Sequence, residues 1–247
     1  MTTRRRALLA AAAAATAATA LAPSPASVGP VRALLTPSVL DPALSGISER
    51  PHVALTFDDG PDAASTPAFL RLLDRVGVTA TFFVLGRHLR DRGLLLEMVA
   101  AGHEIGVHGW DHRPVALHGP TGLRDGLRRT RDLVEDGTGT AVRWYRPPYG
   151  VVTPSSWWSA DRVGLRTVLW SAWGRDWERR ATPASVSALV TRQLRPGGTV
   201  LLHDSDRTSA PGSWRTTLGA TAALVEHWQA HQWAVGPLRD HWSTTSD

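Results

Sequence analysis

The sequence predicts a parallel α/β architecture, either a barrel or a doubly wound sheet. Two observations carry this. Short apolar runs alternate with amphipathic helical patterns from residue 52 onward, and polar clusters fall at the C-terminal ends of those runs. Residues 53–57 (Val-Ala-Leu-Thr-Phe) read as the first strand. Residues 66–76 follow as a helix, with Phe69, Leu70, Leu73 and Val76 at helical spacing. Next come a strand over 80–85, a helix over 93–101 closed by Gly102, and a strand over 104–107. A helix over 123–134 carries Leu123, Leu127, Leu133 and Val134, and leads to a strand over 142–145 and a helix over 154–163. A strand over 165–170, a helix over 183–194, a strand over 199–202 and a helix over 218–230 complete the pattern. No internal repeat interrupts it.

Composition narrows the function. The 247 residues contain 27 basic side chains, all Arg, against 22 acids, for a net charge of +5. Arg4, Arg5 and Arg6 stand together at the N-terminus, and without them the excess falls to 24 against 22. No Arg-rich block remains, so nucleic-acid binding has no support. Hydrophobic residues at 43% and charged residues at 20% exclude wholesale disorder. The absence of Cys excludes disulfide scaffolds, Cys-ligated zinc and thiol catalysis.

The three Arg precede an Ala- and Leu-rich run over 7–22 that ends in Ala20-Leu21-Ala22, the arrangement of an export signal over 1–22. Thr3-Arg4-Arg5 with Leu8-Leu9 also fits a twin-arginine signal, so either the general (Sec) or the Tat route is open. The run is short and weakly hydrophobic for a membrane span, so no stable membrane insertion is expected. Residues 23–50 read as a Pro/Ser-rich linker and 51–247 as the folded domain, which is expected to be a secreted monomer.

In parallel α/β folds chemistry collects at the C-terminal ends of the strands. Here five strand ends lead into Asp58-Asp59-Gly60, His108 to His112, Arg146 to Gly150, Asp176-Trp177 and His203-Asp204. Each alone is weak. A D-D-G sequence is the composition of an ordinary turn. Its chemical interest is that adjacent carboxylates at a strand end point in different directions, so one can bind a cation while the other reaches water. The H-x-x-x-H spacing suggests two imidazoles on one face of a helical turn. His227 and His231 share that spacing without a strand-end carboxylate, and read as surface or packing. His108 and His112 with an Asp would form the two-nitrogen, one-carboxylate set of a catalytic zinc site.

Taken together, Thr56-Phe-Asp-Asp-Gly60, His108-x-x-x-His112, Arg146-Pro-Pro-Tyr-Gly150, Asp176-Trp177 and Leu201-x-His203 resemble the five ordered motifs of the polysaccharide deacetylases, the NodB-homology esterases of carbohydrate esterase family four. The resemblance spans residues 51 to 235. It implies a distorted (β/α) barrel with fewer than eight complete units and a hydrolase that removes N-acetyl, or less readily O-acetyl, groups from an acetylated polysaccharide such as peptidoglycan or a chitin-like oligomer. It implies one divalent metal ion, Zn or else Co or another transition metal, held by Asp59, His108 and His112. Asp58 would be the general base and Arg146 would orient it. The Tyr149 N–H would stabilise the oxyanion. His203 would be the general acid, supported by Asp176. Trp177 and Leu201 would line the acetyl pocket and Tyr149 would contact substrate; Trp110, apart from the resemblance, is a substrate-stacking candidate because it lies in a strand-end segment.

Two positions depart from the family pattern. Gly109 replaces a frequent Ser or Thr after the first metal His, and Trp173 stands where a second Asp is usual. Outside the motifs, His103 precedes its strand and reads as a structural histidine. Asp62 is expected to order the loop after Gly60, and Asp204 to support His203. Trp157, Trp158 and Trp173 are candidates for stacking on sugar rings. A non-catalytic carbohydrate-binding relative, or a hydrolase of a small amide or ester, would fit the same scaffold. Retention of ligands, base and acid argues against the first.

Overall fold

The structure, a computed structural model, describes residues 42–89 and 92–242. The export signal expected at 1–22 and the linker up to residue 41 lie outside those residues. Eight strands are present among the described residues: β1 (His52–Asp58), β2 (Thr81–Leu85), β3 (Glu104–Gly109), β4 (Trp144–Tyr145), β5 (Arg166–Thr167), β6 (Ala172–Trp173), β7 (Thr199–His203) and β8 (Ala234–Gly236). They form one parallel sheet in the order β5-β4-β3-β2-β1-β7-β6, with β8 joined to the first half of β1. Six helices connect them: α1 (Thr66–Val76), α2 (Arg92–Ala100), α3 (Pro120–Thr138), α4 (Pro154–Arg162), α5 (Pro183–Gln193) and α6 (Ser213–Ala230). This is the distorted barrel expected, with short strands on the β4–β6 side.

The period-2 alternation of β1 divides the core. Val53, Leu55 and Phe57 face the helices and pack with Phe69, Leu73 and Phe82. Phe57 stacks on Phe82 and meets the edge of Phe69, with centroids 5.1 Å apart in both cases. Each such buried ring contributes about 1.5–3 kcal/mol. Ala54, Thr56 and Asp58 face inward instead, and Ala54 joins Phe83, Trp144, Val168 and Leu238 inside the barrel. Helix boundaries follow local chemistry. Gly77 ends α1 in the left-handed region, and Thr153 and Thr182 start α4 and α5 with capping boxes closed by Ser156 and Ser185.

Two expectations need correction. The strand expected over 165–170 is only the two-residue β5 within those bounds, and the chain then crosses to β6 at the opposite end of the sheet. Residues 168–171 cross the gap between β4 and β7 as irregular chain. The Val168 N–H donates to Tyr145 and that of Ser171 to Thr199, so the barrel is closed by a single peptide segment with no ladder. The Leu169 N–H donates to the Ala43 carbonyl, which draws the chain off a strand path. The linker expected up to residue 50 is the other correction, because its last residues belong to the domain. Pro42–Ser45 forms a 3₁₀ turn, Ala43 and Leu44 are buried, Ile47 bridges Gly198, and the Thr199 N–H donates to Gly46. Gly46 is required there: it has φ 66°, and a Cβ would collide with the Trp170 backbone.

His103 is structural, as its place before β3 suggested. Its Nδ1 accepts from the Ala80 N–H at 3.1 Å, and its ring meets the edge of Phe82. Burial and then the nearby Arg239 charge push its pKa down from 6.5 to about 4. The unfolded chain therefore binds a proton that the folded chain refuses between those limits. Stability from this group is complete above pH 6.5 and falls by about 1.4 kcal/mol per pH unit as pH drops toward 4. Urea midpoints at pH 7 and pH 4.5 should show this loss. His103→Gln, which keeps an acceptor but cannot be protonated, should lose that share of the acid sensitivity.

Candidate metal centre and active site

The site stands at the C-terminal end of β1, where the inward column Ala54–Thr56–Asp58 ends. Asp58 keeps the strand conformation, whereas Asp59 has φ 77°. That left-handed turn, which Asp tolerates better than most residues, sends the two carboxylates in different directions. Gly60 is needed next, because a Cβ would strike the Asp204 carboxylate. Thr66 donates to Asp204 and accepts from the Asp62 N–H, so the end of β7, the start of α1 and this turn are tied together. Asp204 thus braces the turn after β1 and makes no hydrogen bond to His203. Asp62 orders the loop as expected, accepting from Ala64 and pairing with Arg207 at 2.9 Å.

His108 and His112 approach Asp59 from the end of β3. Their Nε2 atoms lie 3.3 and 3.4 Å from Asp59 Oδ1. The expected helical turn between them is absent: β3 runs through Gly109, and a bend at φ 114° brings His112 back. Only Gly adopts that φ readily. The hydroxyl that anchors this loop comes from α3, where Thr130 donates to the Gly109 carbonyl at 3.1 Å.

The donor chemistry suits a cation. His108 Nδ1 donates to the Arg146 carbonyl at 2.8 Å, which leaves Nε2 as the lone-pair nitrogen aimed at Asp59. Asp59 Oδ1 is buried and accepts no hydrogen bond. Three ligand atoms of Asp59, His108 and His112 lie within 4.8 Å of one another, the one such group among the described residues. Burial opposes charge on Asp59, but the imidazoles of His108, His203 and His112 around it hold its pKa well below the carboxylate range. Burial, despite the opposing pull of Asp59, pushes His112 down to about 4, so it is a free base at neutral pH. These residues fit a divalent transition metal. His227 and His231 lie on the exposed end of α6, where His231 Nδ1 is 2.7 Å from the His227 carbonyl, and have no carboxylate partner of this kind.

Two charge pairs flank the triad. Arg146 has no exposure to solvent. Its Nη1 donates to Asp58 Oδ1 at 2.8 Å and to Thr56 Oγ1 at 2.7 Å, and its guanidinium lies 4.2 Å above the Phe83 ring. Next to Asp58 in the sheet register stands His203. Its Nδ1 is 3.0 Å from Asp176 Oδ1 and its N–H donates to Asp176 Oδ2, which also accepts from Thr217 on α6. Burial alone would lower the His203 pKa; Asp176, then Asp59 and Asp58, raise it to about 10. Its Nε2 points to the triad, 3.9 Å from Asp59 Oδ2.

Leu201 and Trp177 stand beside His203. Trp177 meets that ring at 5.4 Å, and Leu201 clusters with Leu169 and Trp170. Trp173 continues the wall, 5.2 Å from Trp177. Tyr149, with φ 61°, packs its exposed ring on His112 at 4.6 Å. The N–H groups of Gly150 and Val151 close turn hydrogen bonds, and that of Tyr149 does not. Trp110 is placed differently from the expectation. It wedges against Gly86 and Gly126 beneath Arg129, a packing position with no contact to the triad. Thr56, Thr217 and Phe83 were not anticipated. Only Thr56, two residues before Asp58 on the same face, had a readable signal.

The buried Arg146–Asp58 pair yields a stability prediction. Arg146→Met leaves Asp58 buried without its partner and should cost about 3–5 kcal/mol in urea unfolding. Adding Asp58→Asn should recover part of that loss, the coupling expected of a contacting pair.

The polysaccharide deacetylase family model matches residues 45–168. The chain is 35% identical over 189 residues to a peptidoglycan-N-acetylglucosamine deacetylase of Listeria monocytogenes serotype 1/2a, covering 74% of this chain and 39% of the relative. It therefore spans about two-fifths of the length of that relative. It is 38% identical over 156 residues to a chitooligosaccharide deacetylase of Sinorhizobium fredii, covering 62% of this chain and 72% of the relative. A family 4 acetyl xylan esterase from Clostridium thermocellum, solved in complex with a cobalt ion, superposes with a TM-score of 0.69 at 30% identity, covering 77% of this chain and 89% of that one. On sequence, fold and motif order alike, this chain belongs to the polysaccharide deacetylase family.

Proposed function

We propose that this chain is an exported, metal-dependent deacetylase that hydrolyses N-acetyl groups on a polysaccharide, peptidoglycan or a chitin-like polymer. The observation that carries this reading is one metal-type triad flanked by two charge pairs, Arg146–Asp58 and Asp176–His203. A binding module needs neither pair. The Arg-led apolar segment over 1–22 supports export by either route, and no described helix is long and apolar enough to cross a membrane. Zinc is the ion best matched to two imidazoles and one carboxylate, and the protein acts as a monomer.

Asp59, His108 and His112 would hold the divalent ion, which would supply Lewis acidity for the hydrolysis. The residues do the rest. Asp58, fixed by Arg146, which Thr56 holds in turn, takes the proton of the attacking water at its other oxygen. The Tyr149 N–H donates to the acyl oxygen as charge develops there. His203 donates its Nε2 proton to the departing amine, with Asp176 steadying the imidazolium through Nδ1. An amine leaves poorly without that proton, so a histidine kept protonated favours amide over ester substrates. The acetyl methyl rests against Leu201 and Trp177, and the sugar meets the exposed Tyr149 ring.

Acetate release tests this directly, with N-acetylglucosamine oligomers, peptidoglycan and acetylxylan as substrates. Metal-stripped protein should be inactive, and zinc or cobalt should restore it. Asp58→Asn and His203→Ala should each lower kcat by roughly 10²–10⁴-fold. A folded, metal-loaded protein that releases acetate from none of the three would reject the reading.

A further inference from the structure

Asp59 uses its two oxygens differently. Oδ1 faces the two imidazoles. Oδ2 accepts a hydrogen bond from the hydroxyl of Thr208, on the loop between β7 and α6. Thr208 is itself exposed, so its hydroxyl reaches inward from the surface to a carboxylate with no solvent exposure. The loop is pinned on both sides of it. Arg207 pairs with Asp62 at 2.9 Å, the Arg207 N–H donates to Ser205, and the Ala210 N–H donates to the Trp177 carbonyl. Among charged groups, the remaining neighbour of Oδ2 is His203 Nε2 at 3.9 Å.

We propose that Thr208 is a positioning residue for the metal centre: its hydroxyl fixes Asp59 Oδ2, so that Oδ1 alone faces His108 and His112 and the carboxylate is kept from turning to His203. This rests on reading Asp59, His108 and His112 as metal ligands. Without the hydroxyl, Asp59 can swing toward His203, which misaligns the ligand oxygen and engages the nitrogen needed as the acid. Groups that orient a ligand from outside the coordination sphere typically carry 10–100-fold in metal affinity. None of the five motifs includes Thr208.

The test is the zinc dissociation constant, measured by competition with a chromophoric chelator, alongside the melting temperature of the metal-free protein. Thr208→Val should bind zinc roughly 10–100-fold more weakly with an unchanged metal-free melting temperature. Thr208→Ser, which restores the donor, should bind near wild type. Arg207→Ala, which removes the loop's ion pair with Asp62, should also bind near wild type. Thr208→Ala repeats the comparison without a second branched methyl if valine disturbs the loop. Wild-type affinity in the variants that lack the hydroxyl would overturn the proposal. So would an equal loss in Arg207→Ala, since the loop's packing would then be responsible. Failure of the wild-type protein to bind zinc would remove the metal reading and this proposal together.

Discussion

A fully buried guanidinium inside the barrel is the constraint around which the rest of the site is arranged. Arg146 cannot shed its charge at any ordinary pH, so its burial demands a counter-charge and enough acceptors nearby. Asp58 supplies the charge, Thr56 and the Leu169 carbonyl further acceptors, and Phe83 a ring face beneath. Thr56 and Asp58 come from one strand face, two residues apart, so β1 must hold its register for both contacts to exist. The Arg146 carbonyl in turn fixes which nitrogen of His108 carries hydrogen. One residue thus links Asp58 to a candidate metal ligand, and neither can shift far without unbalancing a charge that water does not reach.

The sequence made much of this legible because the fold converts order along the chain into position in space. Parallel strands put their C-terminal ends on one rim, so five polar clusters at five strand ends had to meet there. Period-2 alternation then assigned directions, with Val53, Leu55 and Phe57 outward and Thr56 and Asp58 inward. Asp58, Asp59, His108, His112, Arg146, Asp176 and His203 are brought together accordingly. The His pair was found by its spacing but for a mistaken reason. Four residues also separate the arms of a bend, and Gly109 makes one where a helical turn was expected.

What was not legible is contact between segments with no periodic signal. Residues 42–50 look like a linker because they continue a Pro/Ser-rich stretch with no sustained period, yet their backbone groups hydrogen-bond to β7 and to the segment beside it. The early end of β5 is accompanied by a hydrogen bond from Leu169 to the Ala43 carbonyl, more than a hundred positions earlier. Trp110 shows the opposite error. Its place between the two His residues suggested substrate contact, but the turn at Gly109 directs it against α3 and under Arg129. Thr208 and Thr217 act through single hydroxyls from the β7–α6 side, and one Thr in a polar loop resembles any other.

The unladdered closure at residues 168–171 bears on how the protein can diverge. In a strand, a side chain's direction is fixed by the pleat, and altering one position disturbs partners on both sides. This segment is held by a few backbone hydrogen bonds while Leu169 and Trp170 form the floor beside Leu201. Substitutions there can reshape the pocket without moving the register of β1, β3 or β7. The barrel keeps Asp58 and His203 on paired strands and this floor on an unpaired segment, so the floor can change shape while the two polar side chains stay in register.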